Sequence, residues 1–376
     1  MPARLETVDP NGLQEFSAVF TDRSLNHMSQ SFQRVMRDIS ACLKGVYNAD
    51  SVVVIPGSGT FAMEAVARQF ATGKRCLVIR NGLFSYRWTQ IFDMGGIPAE
   101  STALKARPME AGNQPAFAPP PVDEVVAAIK EYRPDLVFAP HVETSAGLML
   151  PDQYIRKTAD AVHDTGGMLV LDCISSGAIW VDMKQCGVDI LLSAPQKGWS
   201  SFPCCGLVML GSTAVERLKS TTSTSFACDL RKWHEIMTAY ENNGHAYHAT
   251  MPTDGLRRFR DMMRETEAFG FEKIKKAQQE LGDKVKNILA RKNLKLLAAE
   301  GFQAPGVIVC HTDSDSIRNG NRFTEAGIQI APGVPIECDE LETFKTFRIG
   351  LFGLDKLKDV DGTVARLEEA LDRVFP

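Results

Sequence analysis

A lysine and an aspartate that each follow an apolar run are the residues of this sequence whose types and positions most directly suggest chemistry. Asp172 closes the apolar run 167–171, and Lys197 follows a second apolar run, 188–193. Both runs have the length and composition of buried parallel strands. Because ligands of open α/β sheets lie at the carboxyl ends of the strands, we expect the carboxylate and the amine at one edge of a sheet.

A glycine-rich turn at residues 55–60 follows another predicted strand and opens a predicted helix. The backbone N–H groups of such a turn, together with the hydroxyls of Ser58 and Thr60, can hold an anion at the helix N-terminus. The dinucleotide fingerprint would need a further glycine where Ala62 stands, and the lysine of a Walker loop is missing. The turn therefore indicates a phosphate site, with an ordinary capped helix as the alternative.

Together these three features indicate pyridoxal 5′-phosphate (PLP). A lysine forms the Schiff base with this cofactor, and a carboxylate beside the ring nitrogen keeps that nitrogen protonated by raising its pKa. Taken singly, Lys197 could be a solvated loop residue and Asp172 the N-cap of the next helix. Their joint occurrence with a phosphate-type turn favours the cofactor site.

Two further segments follow predicted strands and add candidate site residues. Segment 81–88 contains Phe84, whose ring could lie flat on a cofactor ring, with core packing as the alternative. Segment 141–147 contains Thr144 and other small hydroxyl side chains that could bind a ring oxygen or a phosphate. Both segments are expected at the same edge of the sheet as the lysine.

Short apolar runs alternate with amphipathic segments from about residue 29 to 210, which predicts a largely parallel sheet covered by helices on both faces. The fold class is therefore α/β. The predicted strands are 52–55, 75–79, 136–139, 168–171, 190–193 and 206–210, and the predicted helices include 60–70, 122–131 and 153–164.

The C-terminal third has a different pattern. The charged amphipathic stretch 254–291 predicts one or two bridging helices. A smaller α+β unit with a mixed sheet should follow. We therefore predict a large domain at 1–255 and a small C-terminal domain at 256–376. The segments predicted for the small unit are 307–310, 328–330, 344–349 and a terminal helix, 360–374.

Composition and charge narrow the possible partners and location. The 376 residues carry a formal charge of −4, so the chain lacks the basic footprint of a nucleic-acid-binding protein. No stretch approaches the roughly 20 apolar residues of a membrane span, and the N-terminus lacks the apolar core of a signal peptide. The nine cysteines show neither paired spacing nor a zinc motif, which predicts reduced thiols in a cytoplasmic protein.

The order of the motifs resembles class V, fold-type I PLP-dependent aminotransferases, in particular the alanine–glyoxylate and serine–pyruvate aminotransferase group. The resemblance covers about residues 26–353 and implies a large domain with a mostly parallel, seven-stranded type of sheet. The stretches that carry it are 57–60, 81–84, 143–147, Asp172 with 175–177, 193–197, 247–250 and 347–350.

The resemblance implies a role for each candidate residue of the cofactor site. Lys197 would carry the cofactor and later move a proton between the substrate Cα and the cofactor, and Asp172 would pair with the ring nitrogen. The others would hold the ring or the phosphate: Phe84 stacks on the ring, Thr144 lies near the 3′ oxygen, and Ser58, Gly59, Thr60 and Gln196 bind phosphate.

The resemblance also implies partners. Tyr247 and Thr250 would reach the phosphate of a neighbouring subunit's cofactor, which implies a homodimer with shared active sites. Arg348 would bind the substrate carboxylate through a bidentate fork. The implied reaction moves an amino group from alanine or serine to glyoxylate or pyruvate by a ping-pong mechanism.

The sequence departs from the usual pattern of this group at three places. The N-terminal segment 15–22 is not the usual Pro/Gly-rich substrate loop, and Phe84 replaces a tryptophan that is often found there. Trp199 is larger than the residues expected after the lysine. The bulk of Trp199 and Phe84 near the lysine predicts a pocket for small side chains.

Two other functions are alternatives to the aminotransferase. Cysteine desulfurases and related class V lyases resemble this chain in cofactor, but they have a histidine before the lysine and a nucleophilic cysteine on a mobile loop. Here Gln196 precedes Lys197, and no cysteine lies between Cys310 and Cys338. A non-catalytic binding module should have lost Lys197 or Asp172, and both residues are present.

Overall fold

A seven-stranded sheet forms the centre of the computed structural model, which describes residues 8–10 and 12–375. In chain order the strands are β1 (Ser51–Pro56), β2 (Arg75–Arg80), β3 (Glu100–Lys105), β4 (Arg107–Pro108), β5 (Phe117–Ala118), β6 (Leu136–Pro140), β7 (Val142–Glu143), β8 (Leu148–Met149), β9 (Met168–Asp172), β10 (Ile190–Ser193), β11 (Cys205–Leu210), β12 (Val307–His311), β13 (Ala331–Pro332) and β14 (Thr346–Gly350).

The large sheet has the order β1-β11-β10-β9-β6-β2-β3. Strand β11 pairs antiparallel with both of its neighbours, and the other pairs are parallel. Strands β6, β9, β10 and β11 are buried along their whole length, as expected for strands covered on both faces. The predicted α/β, fold-type I class with a mostly parallel seven-stranded sheet is confirmed.

Helices cover the sheet and extend into the C-terminal part. They are α1 (Gln30–Tyr47), α2 (Gly59–Val66), which continues as a π-helical turn (Ala67–Ala71), α3 (Leu83–Gly95), α4 (Val122–Tyr132), α5 (Asp152–Asp164), α6 (Met183–Cys186), α7 (Ser212–Ser220), α8 (Leu230–Glu241), α9 (Thr253–Phe269), α10 (Phe271–Arg291), α11 (Asp315–Arg318), α12 (Asn321–Glu325), α13 (Leu354–Lys358) and α14 (Val360–Val374). None of them, within the described part of the chain, is long and apolar enough to cross a membrane.

The bridging stretch forms two helices, because Gly270 interrupts it with a φ of +100°. The side chain of another residue would be strained in that conformation. One face of α10 is buried against the C-terminal core, where Ile274, Leu281 and Val285 are fully enclosed. The domain boundary at 255/256 lies within α9 and stays a prediction.

The small sheet corrects two sequence predictions. Its order is β12-β14-β13, and both pairs are antiparallel, so the predicted mixed sheet is wrong. The predicted strand at 328–330 is also wrong. The N–H of Ile328 donates to the carbonyl of Phe323 (3.0 Å) and ends the turn after α12, so pairing begins only at Ala331.

Candidate active site

Lys197 and Asp172 lie at the same edge of the large sheet. Asp172 is the last residue of β9, and Lys197 lies on the loop that follows β10. These strands are parallel neighbours in which Leu192 pairs with Asp172. Chain order and strand direction therefore bring the carboxylate and the amine to the carboxyl edge of the sheet, where α/β proteins bind ligands.

The amine of Lys197 is held by hydroxyl groups. Its Nζ donates to Ser175 Oγ (2.7 Å) and lies 3.5 Å from Thr144 Oγ1. Burial lowers the pKa of Lys197 to about 8, the positive charge of Arg348 acts in the same direction, and the carboxylate of Asp172 opposes the shift. A substantial fraction of the amine is therefore neutral at mildly alkaline pH and able to act as nucleophile or base.

Asp172 is buried, with 8% of its surface exposed. Its Oδ1 accepts a hydrogen bond from the N–H of Ile174 (2.9 Å). Desolvation raises the pKa of Asp172 to about 6, while that hydrogen bond and the charge of Lys197 oppose the rise. A cation placed beside this carboxylate would restore its ionised form, and a protonated ring nitrogen is such a cation.

The glycine-rich turn opens α2 next to Asp172. Ser58 is the N-cap of α2 in an extended conformation, and its side chain makes no capping hydrogen bond among the described residues. Gly59 packs closely on Ile174, since a Cβ there would lie 2.6 Å from Cδ1 of that side chain. Thr60 Oγ1 accepts a hydrogen bond from Nη1 of Arg87 (3.1 Å), which brings a guanidinium to the turn. These groups suit a phosphate.

Phe84 lies at the start of α3 among three cationic groups. Its ring centroid is 5.8 Å from Nζ of Lys197, 5.8 Å from Cζ of Arg348 and 5.0 Å from Cζ of Arg87. Gln196, the residue before the lysine, is exposed. The structure thus brings Phe84 to the lysine, as the predicted stacking role requires.

Arg348 reaches the site from β14 of the small sheet. Its Nε donates to the carbonyl of Pro332 (2.9 Å), and within the described residues its two terminal nitrogens have no hydrogen-bond partner. Burial lowers the pKa of Arg348, and the negative charge of Glu143 opposes this shift. Two free N–H groups in a fixed fork match the geometry of a carboxylate.

Tyr247 and Thr250 lie apart from this cluster, on the segment between α8 and α9. Both are exposed, and their hydroxyl oxygens are 3.2 Å apart. Among the described residues, neither makes a hydrogen bond to a group around Lys197. Their predicted contact with a neighbouring subunit's cofactor stays a prediction.

The prediction that Trp199 shapes the substrate pocket is wrong. Its side chain is fully buried, and its ring centroid is 4.7 Å from that of Trp180 in an aromatic cluster that includes Phe259 and Phe271. The preceding Gly198 packs so closely on Gly177 that a Cβ would overlap the carbonyl oxygen. The loop therefore turns Trp199 into the core, and this side chain does not shape the space at the lysine.

Four residues at the site received no role from the sequence. Ser175 accepts the lysine hydrogen bond, Arg87 reaches the phosphate turn, and Glu143 accepts hydrogen bonds at the start of α3. Phe352 places its ring centroid 5.8 Å from Nζ of Lys197. The first three lie within motifs that follow strands, which was the available signal, whereas Phe352 comes from the distant C-terminal part.

A strand-end lysine and aspartate, together with a phosphate-type helix N-terminus, are typical of a PLP enzyme of fold-type I. The family follows from the sequence. Residues 13–362 match the model of the aminotransferase class-V family, and the chain belongs to that family. It is therefore a PLP-dependent transaminase, and the predictions of family, enzyme class and cofactor are confirmed.

The chain is also similar to curated proteins and, in its fold, to a solved structure. The chain is 28% identical over 361 residues to a 2-aminoethylphosphonate–pyruvate transaminase from Paraburkholderia phymatum, covering 92% of this chain and 89% of that protein. It is 27% identical over 353 residues to the small subunit of a soluble hydrogenase from Synechococcus, covering 92% and 87%. The crystal structure of alanine–glyoxylate aminotransferase from Nostoc superposes with a TM-score of 0.79 at 22% identity, over 94% and 89% of the two chains.

The residues present fit PLP. The buried carboxylate of Asp172, with one oxygen occupied by a backbone N–H, suits the ring nitrogen. The amine of Lys197, whose pKa is lowered, suits the aldehyde. The helix N-terminus at Ser58, with its hydroxyl groups, suits the phosphate. When bound, the cofactor supplies an electron sink for the pair of electrons released at the substrate Cα. The protein supplies binding, orientation and proton transfer.

Proposed function

We propose that this enzyme transfers the amino group of a small α-amino acid, alanine or serine, to a small 2-oxo acid, glyoxylate or pyruvate, in two half-reactions. One observation carries this proposal. The amine of Lys197 and the guanidinium of Arg348 each lie 5.8 Å from the ring centroid of Phe84. Both cations therefore lie around the same ring, and the charge of Arg348 lowers the pKa of Lys197, which supports a substrate that is held by Arg348 at its carboxylate with its Cα toward Lys197.

Each residue has a task in this reaction. Arg348 binds and orients the carboxylate of both substrates, and Lys197 removes the proton from Cα and returns it on the cofactor side. Phe84 and Asp172 fix the plane and the protonation of the cofactor ring. Ser58, Gly59, Thr60 and Gln196 hold the phosphate, and Thr144 holds the ring oxygen.

The restriction to small donors rests on Phe352 and Phe84. The two ring centroids lie at the same distance, 5.8 Å, from the lysine Nζ. The ring of Phe352 packs directly on the backbone of Gly306 and Gly177. A Cβ at these two positions would lie only 3.0 Å and 3.3 Å from the ring. The aromatic rings therefore limit the room for a substrate side chain near the reacting carbon.

Replacing Phe352 with alanine should widen the range of donors. We expect kcat/KM for leucine relative to alanine to rise by about tenfold or more, since even one methylene in an apolar pocket changes selectivity by roughly 10–200-fold. Initial rates with a series of aliphatic amino acids measure the effect. The control is Phe202→Ala, which removes a half-exposed ring that contacts Arg258. An unchanged donor preference in Phe352→Ala would show that this ring does not shape the pocket.

A change of Arg348 to lysine tests the function most directly. The charge is kept but the fork is lost, so KM for donor and acceptor should each rise by about 10–100-fold, as expected for lost hydrogen bonds to a charged group. The absorbance of bound PLP should stay unchanged, because Arg348 does not hold the cofactor. If Arg348→Lys and Arg348→Ala both leave KM unaltered, the arginine is structural.

A second candidate is transfer from 2-aminoethylphosphonate to pyruvate, the reaction named for the Paraburkholderia relative. A phosphonate accepts the same bidentate arginine fork as a carboxylate. A donor panel with glyoxylate and with pyruvate separates the candidates: alanine, serine, 2-aminoethylphosphonate and propylamine, which lacks an anionic group. Turnover of the phosphonate in preference to alanine would favour the second candidate, and turnover of propylamine at the rate of alanine would contradict both.

The lyase alternative has little support from the cysteines. Cys310 and Cys338 are both buried, so neither presents an accessible nucleophile. Burial raises the pKa of the Cys338 thiol to about 12, which disfavours the thiolate.

We also propose a homodimer with shared active sites. Tyr247 and Thr250 are exposed in the single chain and carry hydroxyls suited to a phosphate, which supports a contact with the partner's cofactor. Sedimentation of the holoenzyme tests the assembly, and a monomer with full PLP occupancy would contradict the shared site. A reducing compartment such as the cytoplasm suits the chain, because all nine cysteines are free thiols.

A further inference from the structure

Glu143 is a buried carboxylate beside the active site. Its side chain has no exposed surface. Oε1 accepts from the N–H of Phe84 (3.2 Å), the N–H of Ser145 (3.1 Å) and the hydroxyl of Ser145 (2.7 Å). Oε2 accepts from the N–H of Ser85 (2.8 Å) and lies 2.7 Å from the Ser85 hydroxyl. A buried carboxylate with this many donors is fully hydrogen-bonded in its ionised form.

Most of these donors belong to the first turn of α3, whose N–H groups have no partner within the helix. Leu83 N–H donates to the Ser145 hydroxyl (2.9 Å), and the next two N–H groups donate to Glu143. A negative charge at a helix N-terminus is also favoured by the helix dipole. The Glu143 side chain can come this close to the start of α3 because residue 82 is glycine. A Cβ at that position would lie 2.7 Å from Cγ of Glu143.

The residue held by Glu143 is the one whose ring faces the reacting groups. The N–H of Phe84 donates to the Glu143 carboxylate. The ring of Phe84 lies near Nζ of Lys197 and the guanidinium of Arg348. The negative charge of Glu143 also raises the pKa values of Lys197 and Arg348, where burial lowers them. Glu143 therefore acts on the site through backbone geometry and through its charge.

We propose that Glu143 is a positioning residue that fixes the Phe84 ring against the cofactor and balances the buried cations of the site. The proposal rests on the proposed function, in which Phe84 fixes the plane of the cofactor ring. It does not depend on which amino acid is the donor. Its tests can therefore use the cofactor itself as the probe.

The experiment compares Glu143→Gln holoenzyme with the wild type. A glutamine keeps the shape but presents an NH₂ group to N–H donors on one side, so the first turn of α3 should shift. We expect three changes: an altered visible circular dichroism band of bound PLP, a lower midpoint for the pH titration of the cofactor absorbance, and kcat/KM reduced about 10–100-fold. The midpoint falls because loss of a nearby negative charge disfavours the protonated form.

A matched control is Asp189→Asn. Asp189 is also a buried carboxylate that accepts a backbone N–H, from Leu169 (2.8 Å), but it lies before β10, at the opposite edge of the sheet. This variant should lose thermal stability without changing the spectrum or the titration of the cofactor. If Glu143→Gln behaves in the same way, Glu143 is only structural and the proposal is overturned.

A double-mutant cycle tests whether Glu143 acts through Phe84. The dichroism change caused by Glu143→Gln should largely disappear in a Phe84→Ala background, because the ring to be positioned is gone. Fully additive changes would overturn the proposal. If Glu143→Gln does not fold, Ser145→Ala replaces it in the same cycle. This variant removes one donor to the Glu143 carboxylate and the hydroxyl that accepts from the N–H of Leu83. A failed donor panel with an intact spectral effect would reject the proposed substrates and leave the role of Glu143 standing.

Discussion

Replacing Lys197 with alanine should reduce turnover by about 10⁴-fold, the upper end of the roughly 10²–10⁴-fold that a positioned acid–base group contributes. Among the described residues, the hydrogen-bond partners of its Nζ are the hydroxyls of Ser175 and Thr144, so no described amine is placed to take over its task. Noncovalent PLP binding should persist, since the phosphate turn and Asp172 remain. Half-reaction absorbance with alanine measures the loss.

The attachment point has an independent measurement. Borohydride reduction of the yellow wild-type protein, followed by digestion and mass spectrometry, should find the cofactor on the peptide that contains Lys197. The control is Lys232→Ala, which removes an exposed lysine paired with Glu235 (2.8 Å) and should keep full activity. A reduced adduct on another lysine would disprove the site assignment.

The sequence predicted the buried part of the large sheet well. Strands β6, β9 and β10 are short apolar runs because both of their faces are covered, and such runs are easily recognised. Strand β3 was not predicted, since its residues Glu100–Lys105 are exposed or half-buried at the edge and lack an apolar run. The prediction of a mixed small sheet was wrong, because the direction of those strands depends on connections that the local sequence pattern does not reveal.

The candidate site could be predicted where strand ends determine position. Asp172 and Lys197 follow adjacent parallel strands, so their proximity follows from topology alone. Trp199 could not be placed, because the turn at Gly198 decides which way the following side chain points. Phe352 could not be found either, since it comes to the lysine from the C-terminal part of the chain.

Charge balance explains how these groups tolerate burial together. Lys197 and Arg348 are cations in a largely buried space, and burial lowers the pKa of both. The carboxylates of Asp172 and Glu143 provide the opposite charge. Asp172 keeps an oxygen lone pair for a ligand, whereas the hydrogen bonds of Glu143 are all made within the protein. The two acids therefore differ in their surroundings, and within the described residues Asp172 is the one with a carboxylate oxygen left for a ligand.

Asp172→Asn should lower kcat by about 10³-fold. Opposite unit charges about 4 Å apart at an effective dielectric constant near 20 interact by about 4 kcal/mol, and each 1.4 kcal/mol corresponds to a factor of ten. The neutral amide cannot hold the ring nitrogen protonated, so the electron sink is weakened. Steady-state kinetics and the absorbance of bound PLP measure the change.

The stability of the same variant separates a cofactor role from a structural one. The pKa of Asp172 is raised from its ordinary value near 4 to about 6, so its ionised form costs stability in the cofactor-free protein as pH rises through that interval. The cost is fully present above pH 6. Cofactor-free Asp172→Asn at pH 8 should therefore be at least as stable as the wild type, because asparagine can still accept from Ile174. The stabilisation gained on adding PLP should shrink. A cofactor-free variant that melts well below the wild type, with an undiminished gain from PLP, would show that Asp172 supports the fold and not the ring nitrogen.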